Sequence, residues 1–203
     1  MKKIERLIEE AGVIINDDHF VYTTGKHGSG YVNKDELSLH PGLIAAVAED
    51  MQVGVEEAGE IEVVLAPPMG AIMIGYQLSC LLGVPAVYAE KTAEGGMVIK
   101  RGFDKFLKGK KVLVAEDVTT TGSSVKKLLA TLEKQGIECE VVGVSVLYNR
   151  GGVTAEDLGV PFMYAAVDKA MAVYEEGECP LCKAGVEVNT RLGHGKEFLA
   201  RKE

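Results

Sequence analysis

The stretch VLVAEDVTTTGSSV, residues 112–125, joins an apolar run to two acidic residues and then to a turn of threonines, glycine and serines. The apolar run predicts a strand buried on both faces, which places Glu116 and Asp117 at its carboxyl end. From Ser123 onward the pattern predicts a helix. The turn therefore brings backbone N–H groups, hydroxyls and a helix N-terminus around one small volume, which suits a phosphate monoester.

The acidic pair beside this turn has two interpretations. Carboxylates that touched a bound phosphate would repel it, but they fit a ligand whose sugar hydroxyls donate to them, or one approached through a divalent cation. The alternative is a solvated strand end followed by a polar turn with a serine N-cap. Other phosphate-binding patterns fit less well, because the GK[ST] of a Walker loop is absent and Thr119 stands where an aspartyl phosphatase has its second aspartate.

Strands and helices alternate on both sides of this stretch. Such alternation, with strands made mostly of Val, Leu and Ile, predicts an α/β fold whose parallel sheet carries helices on both faces, with ligands beyond the carboxyl ends of the strands. Two short runs near the amino terminus, Val13–Ile15 and Phe20–Thr23, predict a small antiparallel hood. The predicted core strands are Ile61–Ala66, Ala86–Ala89, Lys111–Glu116, Glu140–Leu147 and Phe162–Ala165, and the predicted helices are 2–11, 41–58, Ala71–Leu82 and Ser123–Gln135.

The composition is that of a globular protein, with 203 residues, 47% hydrophobic content and a formal net charge of −8. This length predicts one domain. The acidic balance argues against broad binding to nucleic acid or to a membrane surface. No run approaches the roughly 20 apolar residues of a membrane span, and the charged start MKKIERLIEEAG argues against a signal peptide, so we expect a cytoplasmic protein.

The cysteines offer one recognisable spacing, the C-x-x-C of Cys179 and Cys182 in CPLC. A structural zinc site usually has four ligands, and no second cysteine pair of this kind is present, so we expect reduced, structural or idle thiols. Metal binding shared between two copies of the chain stays open. No Ser/His/Asp or Cys/His catalytic set is evident. The histidines are interpreted as scattered surface or satisfied side chains, namely His19, His27, His40 and His194.

VLVAEDVTTTGSSV resembles the phosphoribosyl pyrophosphate (PRPP) signature of the type I phosphoribosyltransferases. The resemblance extends over residues 3–175 and implies a Rossmann-like parallel-sheet core. It implies that Glu116 and Asp117 hold the ribose 2′- and 3′-hydroxyls of PRPP. It also implies that the loop binds the 5′-phosphate through Thr119, Thr120, Thr121, Gly122 and Ser123.

The segment VVLAPPMGAIMIG, residues 63–75, resembles the pyrophosphate loop of that family. A strand is expected to end at Ala66, prolines stiffen the turn, and Gly70 permits close backbone approach before a helix begins. By the resemblance, Pro68, Met69 and Gly70 contact PRPP. The alternative is an ordinary turn between a strand and a helix.

Two further segments resemble the orotate-using members of the family. HFVYTTGKHGSGYVNKDEL, residues 19–37, is similar to their hood over the base, and Lys26 matches a basic position after the glycine. GVSVLYNRGG, residues 143–152, ends in Arg150, whose planar fork of donors suits the carboxylate or carbonyl edge of orotate. The resemblance assigns Thr121 to the same base site.

The connection between residues 90 and 111 contains seven Lys or Arg against three acids in an otherwise acidic chain. Its length predicts either a hairpin or a mobile loop. A basic lid would exclude water and neutralise charge on a pyrophosphate leaving group. The candidate catalytic residues, by resemblance, are Glu116, Asp117, Lys91, Lys100 and Arg101.

The resemblance implies condensation of orotate with PRPP to give orotidine 5′-monophosphate and pyrophosphate, a step of pyrimidine biosynthesis. It implies Mg²⁺ as cofactor, held mainly through PRPP with no direct protein ligand, and a homodimer that shares the lid across subunits. A phosphoribosyltransferase for another nucleobase and a non-catalytic PRPP-sensing regulator stay open as alternatives. The expected organisation is a single domain, 1–203, with a hood at 1–40, a PRPP-binding core at 41–175 and a tail containing CPLC at 176–203.

Overall fold

The structure is a computed structural model that describes residues 2–201. Its helices are α1 (Lys3–Glu10), α2 (Lys34–Leu37), α3 (Pro41–Gly54), α4 (Ala71–Leu82), α5 (Asp104–Leu107), α6 (Ser123–Lys134), α7 (Ala155–Leu158), α8 (Pro180–Lys183) and α9 (Gly195–Ala200). Its strands are β1 (Ile14–Ile15), β2 (Phe20–Val21), β3 (His27–Gly28), β4 (Tyr31–Val32), β5 (Val63–Ala66), β6 (Ala86–Tyr88), β7 (Glu90–Lys91), β8 (Met97–Val98), β9 (Lys111–Thr119), β10 (Glu140–Asn149) and β11 (Met163–Asp168). Within residues 2–201, the helices are all too short or too polar to cross a membrane.

The core is a five-stranded parallel sheet in the order β11-β10-β9-β5-β6. β9 lies at its centre, where Leu113 pairs with Val64 on one side and with Gly143 on the other. Because β9 and β10 run in the same direction, their carboxyl ends meet at one edge, and Thr119 pairs there with Asn149. The predicted α/β fold with a parallel sheet is therefore confirmed.

Helices cover both faces of this sheet, because alternate residues of a strand point to opposite faces. On one face, Leu113 and Ala115 are buried in a cluster that includes residues of α1, α3 and α4. On the other, Val112 and Val114 are buried with Val125 and neighbouring residues of α6. This packing on both faces explains why the strand is apolar at successive positions, and it fixes the end of β9 relative to the helices.

The two central strands continue further than the sequence predicts. The apolar pattern ends the first strand at Glu116, whereas β9 ends at Thr119, and β10 ends at Asn149 instead of Leu147. The reason is strand pairing, since the polar residues Thr119 and Asn149 continue the ladder between β9 and β10. As a result, Glu116 and Asp117 lie inside a paired strand and are buried, which excludes the solvated strand end.

A small hood stands over the carboxyl edge of the sheet. It consists of antiparallel pairs, β1 with β4 and β2 with β3, as the short runs predict. The tail packs along the same strands, because the N–H of Asn189 donates to the carbonyl of His19 at 2.7 Å and the N–H of His194 donates to that of Val21 at 2.8 Å. In the 90–111 connection, β7 and β8 form an antiparallel hairpin, which confirms the hairpin interpretation.

Candidate active site

The centre of the site is the acidic pair near the end of β9. Glu116 and Asp117 are only 3% and 6% exposed. Glu116 Oε1 accepts a hydrogen bond from the N–H of Asp117 at 3.0 Å, and Asp117 Oδ1 accepts one from the N–H of Val118 at 2.7 Å. Burial, together with the negative charge of Asp117, raises the pKa of Glu116 to about 8. At neutral pH the carboxyl of Glu116 is therefore largely protonated.

Lys34, the first residue of α2, supplies a positive charge beside this pair. Its Nζ lies 3.1 Å from Asp117 Oδ2. Burial opposes its charged form, but the charge of Asp117 and the hydrogen bond to it raise the pKa of Lys34 above its ordinary value. The sequence assigns no role to this residue, which lies within the segment 19–37 that resembles the hood of the family. Its position directly after the hood strands was the one available signal.

The loop of threonines and glycine follows β9 directly. Thr119 Oγ1 accepts a hydrogen bond from the N–H of Gly122 at 3.1 Å, which closes the turn ahead of α6. Gly122 has a φ of 71°, and a Cβ there would lie 2.4 Å from Leu158 Cδ2, so this position requires glycine. Thr121 and Ser123 are exposed on the turn. Because α6 begins at Ser123, its first N–H groups are available to an anion.

Arg150, directly after β10, connects this loop to the hood. Its backbone N–H donates to the carbonyl of Thr119 at 3.0 Å, and its Nε donates to Thr120 Oγ1 at 2.9 Å. Its guanidinium carbon lies 4.4 Å from the centre of the Tyr22 ring, a cation–π contact. The Tyr22 hydroxyl donates to the carbonyl of Gly30 at 2.5 Å. These contacts fix the plane of the guanidinium between a hood residue and a loop residue.

A cavity of about 310 Å³ lies between the hood, the end of β9, Arg150 and the tail. Its lining residues are Tyr22, Thr23, Tyr31, Val32, Lys34, Asp117, Val118, Thr120, Arg150, Gly193 and His194. Of the residues singled out in the sequence, Asp117, Thr120 and Arg150 meet in this space. The structure thus joins Asp117 of the acidic pair, one threonine of the loop and the candidate base-binding arginine in one enclosure.

The predicted pyrophosphate loop lies beside the acidic pair. It connects β5 to α4, with a cis peptide bond between Pro68 and Met69. A Cβ on Gly70 would lie 1.9 Å from Asp117 Oδ2 and 3.0 Å from Lys34 Cδ, so only glycine allows this approach. The Met69 side chain is 70% exposed. The backbone of this loop, and not its side chains, therefore forms the edge of the site.

Four basic residues that the sequence singled out lie outside this cavity. Lys26 Nζ is 2.9 Å from Glu175 Oε1 on the exposed hairpin of the hood. Arg101 pairs with Glu90 in the 90–111 connection, where Lys91 and Lys100 are also exposed. Thr121 does not line the cavity either. The catalytic role of the lid residues and the orotate-binding role of Lys26 and Thr121 stay predictions.

The tail supplies a wall that sequence reasoning did not anticipate. Gly193 and His194 line the cavity, and His194 Nε2 lies 3.2 Å from Thr23 Oγ1. A Cβ on Gly193 would lie 2.6 Å from the carbonyl oxygen of Val21, so glycine lets the tail cross the hood strand closely. No local pattern signals this contact, because Thr23 and His194 are 171 residues apart.

The fold and this site define a phosphoribosyltransferase, and a family model described as "Phosphoribosyl transferase domain" matches residues 33–176. The orotate phosphoribosyltransferase of Thermotoga maritima is 35% identical over 184 residues, covering 90% of this chain and 94% of that relative. The orotate phosphoribosyltransferase of Caldanaerobacter subterraneus is 34% identical over 185 residues, covering 91% and 93%. The chain belongs to the orotate phosphoribosyltransferase family.

Solved structures show the same fold. Orotate phosphoribosyltransferase from Aeropyrum pernix matches with a TM-score of 0.66 at 20% identity, covering 81% of this chain and 93% of that chain. Adenine phosphoribosyltransferase from Thermoanaerobacter pseudethanolicus matches with a TM-score of 0.59 at 17% identity, covering 79% and 99%. Since enzymes named for different bases share this fold, the fold alone does not select the base.

Proposed function

We propose that this chain condenses orotate with PRPP to give orotidine 5′-monophosphate and pyrophosphate. The observation that carries the proposal is the single cavity lined by Asp117 and Thr120 of the PRPP signature and by Arg150 and Tyr22. Such a space holds a sugar phosphate next to a small planar acid. The relatives named orotate phosphoribosyltransferase support the choice of base.

At the ribose end, the acidic pair receives the sugar hydroxyls. Asp117 accepts hydrogen bonds, while the raised pKa of Glu116 keeps its carboxyl largely protonated at neutral pH, so it both donates and accepts. Lys34 offsets the remaining negative charge from 3.1 Å away. Because the acidic pair would otherwise repel a ligand that carries several phosphates, this lysine makes PRPP binding compatible with two adjacent acids.

At the base end, Arg150 recognises the carboxylate or carbonyl edge of orotate. Its Nε is already bound to Thr120, so the terminal amino groups are the donors that remain for a ligand. The Tyr22 ring supports the guanidinium from one side. A planar fork held in this way binds a carboxylate with two parallel hydrogen bonds, which a lysine at the same position does not provide.

We propose Mg²⁺ as the cofactor, brought to the site by PRPP. Glu116 is largely protonated at neutral pH and Asp117 Oδ2 is paired with Lys34, so the acidic pair offers few free oxygens to bind a cation directly. The pair therefore fits a cation that arrives bound to its substrate. When bound, the cation neutralises charge on the pyrophosphate.

The reaction is a substitution at the anomeric carbon of PRPP. Nitrogen N1 of orotate forms a bond to this carbon while the bond between the carbon and the pyrophosphate oxygen breaks, and positive charge develops on the sugar ring. The proton of N1 leaves with the departing pyrophosphate, which accepts it. Asp117 lies where its carboxyl faces that charge, and Arg150 holds the base in line. The chain thus contributes alignment and electrostatic stabilisation.

We propose a homodimer for this chain, with a second copy covering an apolar surface around α4. A groove of about 410 Å³ there is lined largely by apolar side chains of α3, α4 and β6. Exposed on or near it are Leu39 (70%), Met69 (70%), Met73 (44%) and Tyr76 (63%). Lys91, Lys100 and Arg101 lie outside the cavity of their own chain. In a homodimer, the lid of one chain reaches the cavity of the second copy.

The dimer is tested by molar mass in solution. Tyr76→Glu places a charge in the middle of the apolar surface, so a dimer should shift towards monomer. Val53→Glu is a matched control, since Val53 is 66% exposed near the end of α3 and lies outside both this groove and the lid. A wild-type monomer at micromolar concentration, or an unchanged dimer in Tyr76→Glu, contradicts the proposal.

The choice of reaction is tested by incubating the purified chain with PRPP, Mg²⁺ and each of orotate, uracil, adenine, guanine and hypoxanthine. Release of pyrophosphate with orotate, and not with the other bases, is the expected outcome. Turnover of another base would identify a different phosphoribosyltransferase. Binding of PRPP without release of pyrophosphate in the presence of any of these bases would indicate a regulator.

A further inference from the structure

Four metal-binding side chains meet outside the cavity, at the junction of hood and tail. One ligand atom from each of His19, His27, Cys179 and Cys182 lies within 4.8 Å of the others. The histidines and Cys179 are 0% to 1% exposed, and Cys182 is partly buried. The interpretation of His19 and His27 as scattered is therefore corrected, because folding brings them to the C-x-x-C pair, and they are buried side chains and not surface ones.

The distances in this cluster are close to those around a tetrahedral zinc ion. Zinc bonds of about 2.0 Å to nitrogen and 2.3 Å to sulfur place nitrogen and sulfur ligand atoms roughly 3.5 Å apart. Here His19 Nε2 is 3.6 Å from Cys179 Sγ and 3.6 Å from Cys182 Sγ, and His27 Nδ1 is 3.3 Å from Cys182 Sγ. The two ring nitrogens, 2.9 Å apart, need to separate by only about 0.4 Å.

Hydrogen bonding sets His19 in the tautomer that a metal needs. Its Nδ1 lies 2.8 Å from the carbonyl oxygen of Val186. Because a carbonyl only accepts, Nδ1 carries the proton, and the lone pair of Nε2 points into the cluster. A backbone carbonyl bound to the second nitrogen is the usual outer partner of a metal-binding histidine.

The other three ligands are also held by local structure. His27 lies in β3, where it exchanges backbone hydrogen bonds of 2.8 Å with Tyr174, and its ring packs in a T-shaped arrangement with that of Phe198, with the ring centres 4.8 Å apart. The CPLC turn is closed by the N–H of Lys183 donating to the carbonyl of Cys179 at 3.1 Å. The donors are thus oriented by strand and turn before any ion arrives.

We propose that His19, His27, Cys179 and Cys182 of one chain bind a structural Zn²⁺ ion. Two imidazoles and two thiolates match the borderline-soft preference of zinc, whereas Mg²⁺ and Ca²⁺ require oxygen ligands. Binding releases one proton from each cysteine, so the ion and the two thiolates form a neutral unit that suits a buried place. Four protein ligands leave no open coordination position, so the ion is structural and not catalytic.

This ion would join the two parts of the chain that close the cavity. The hood continues from His19 to Tyr22, and the tail continues from Cys182 to Gly193 and His194. Tyr22, Gly193 and His194 line the cavity. The zinc site therefore acts as a clamp between residues that are separated by most of the sequence. The proposal concerns metal binding and does not depend on which base the enzyme uses.

The test is the metal content of the full chain, purified without a metal-affinity column. We expect elemental analysis by inductively coupled plasma mass spectrometry to find one zinc ion per chain. Cys182→Ser should lose it, whereas Cys80→Ser and Cys139→Ser, whose thiols lie outside the cluster, should retain it. Replacement by Co²⁺ should give the visible absorption of a tetrahedral site with thiolate charge-transfer bands.

Several results would overturn the proposal. These are a wild-type chain that binds no zinc after reconstitution, equal zinc in Cys182→Ser, or an octahedral cobalt spectrum. An intact mass that is lower by two hydrogens, together with no reaction of Cys179 and Cys182 with a thiol reagent, would assign the pair to a disulfide instead. If Cys182→Ser fails to fold, the stoichiometry and cobalt spectrum of the wild-type chain decide the question.

Discussion

Lys34 Nζ lies 3.1 Å from Asp117 Oδ2, and this pair stands in the wall of the cavity with Gly70 packed against both side chains. The lysine comes from the hood side of the chain and the aspartate from the central strand. Their contact therefore links the two parts of the protein at the point where the substrates are expected to meet. The proposed function makes the charge of Lys34 an electrostatic aid to binding PRPP next to the acidic pair.

Lys34→Gln should lower kcat/KM for PRPP by about 10- to 100-fold, because this is the loss in rate that corresponds to losing one hydrogen bond to a charged group. Lys169→Gln is the matched control, because Lys169 is exposed and pairs with Glu5 outside the cavity. Steady-state kinetics with each substrate varied will check this. Equal losses in both variants would contradict the role of Lys34.

Glu116 should make the unliganded protein less stable as the pH rises. Its pKa in the folded state, about 8, is above the ordinary value of 4.5, so the folded chain binds more protons than the unfolded chain between these values. The free energy of unfolding should therefore fall from pH 5 to pH 8, by up to about 1.4 kcal/mol per pH unit from this group. Glu116→Gln removes this contribution.

Urea denaturation of wild type and Glu116→Gln at several pH values measures the difference between their slopes. Glu133→Gln, at an exposed position on α6, serves as the control. Parallel stability curves for wild type and Glu116→Gln would show that the carboxyl is ionised in the folded chain.

Arg150→Lys should raise the KM for orotate by about 10- to 100-fold, because a lysine keeps the charge but loses the planar pair of donors. The KM for PRPP should change much less, since Arg150 touches the threonine loop through one Nε hydrogen bond to Thr120. Kinetics with orotate and with PRPP as the varied substrate separate these effects. A loss confined to PRPP would place Arg150 at the phosphate and not at the base.

Gly70→Ala should abolish most activity with little change in the fold. The added Cβ would lie 1.9 Å from Asp117 Oδ2, so the loop and the carboxylate must move apart, and displacement of about 1 Å in an active site costs about 100-fold in rate. Gly42→Ala is the control, because a Cβ at Gly42 meets nothing within 4 Å. Circular dichroism and kcat/KM together check this, and full activity in Gly70→Ala would contradict the close approach.

The core of the fold is predictable from the sequence because its signals are local. The periodic apolar residues and the following glycine predict α4 at Ala71–Leu82, the bounds that the structure has. The end of β9 is mispredicted because Glu116 and Asp117 are charged and lie in a strand that a neighbouring strand extends. A hydropathy pattern carries no information about strand pairing, so it assigns buried acidic residues of a paired strand to the protein surface.

The site is predictable only where one segment supplies both position and chemistry. The acidic pair and the threonine loop satisfy this condition, and so does Arg150 at the end of β10. Lys34 and His194 do not, since each is an ordinary polar residue until the chain brings it to the cavity. The metal-binding cluster shows the same limit, because His19 and Cys179 are 160 residues apart.

The wall formed by the tail gives the two sides of the cavity unequal resistance to local opening. Asp117 and Thr119 belong to the central strand of a five-stranded sheet, so their surroundings open only when the domain unfolds. Beyond the proposed zinc site, Gly193 and His194 are held to the hood by a few hydrogen bonds between distant parts of the chain. Amide hydrogens on the base side should thus exchange with solvent far sooner than those on the phosphate side, and base and nucleotide can enter or leave there while the PRPP half keeps its shape.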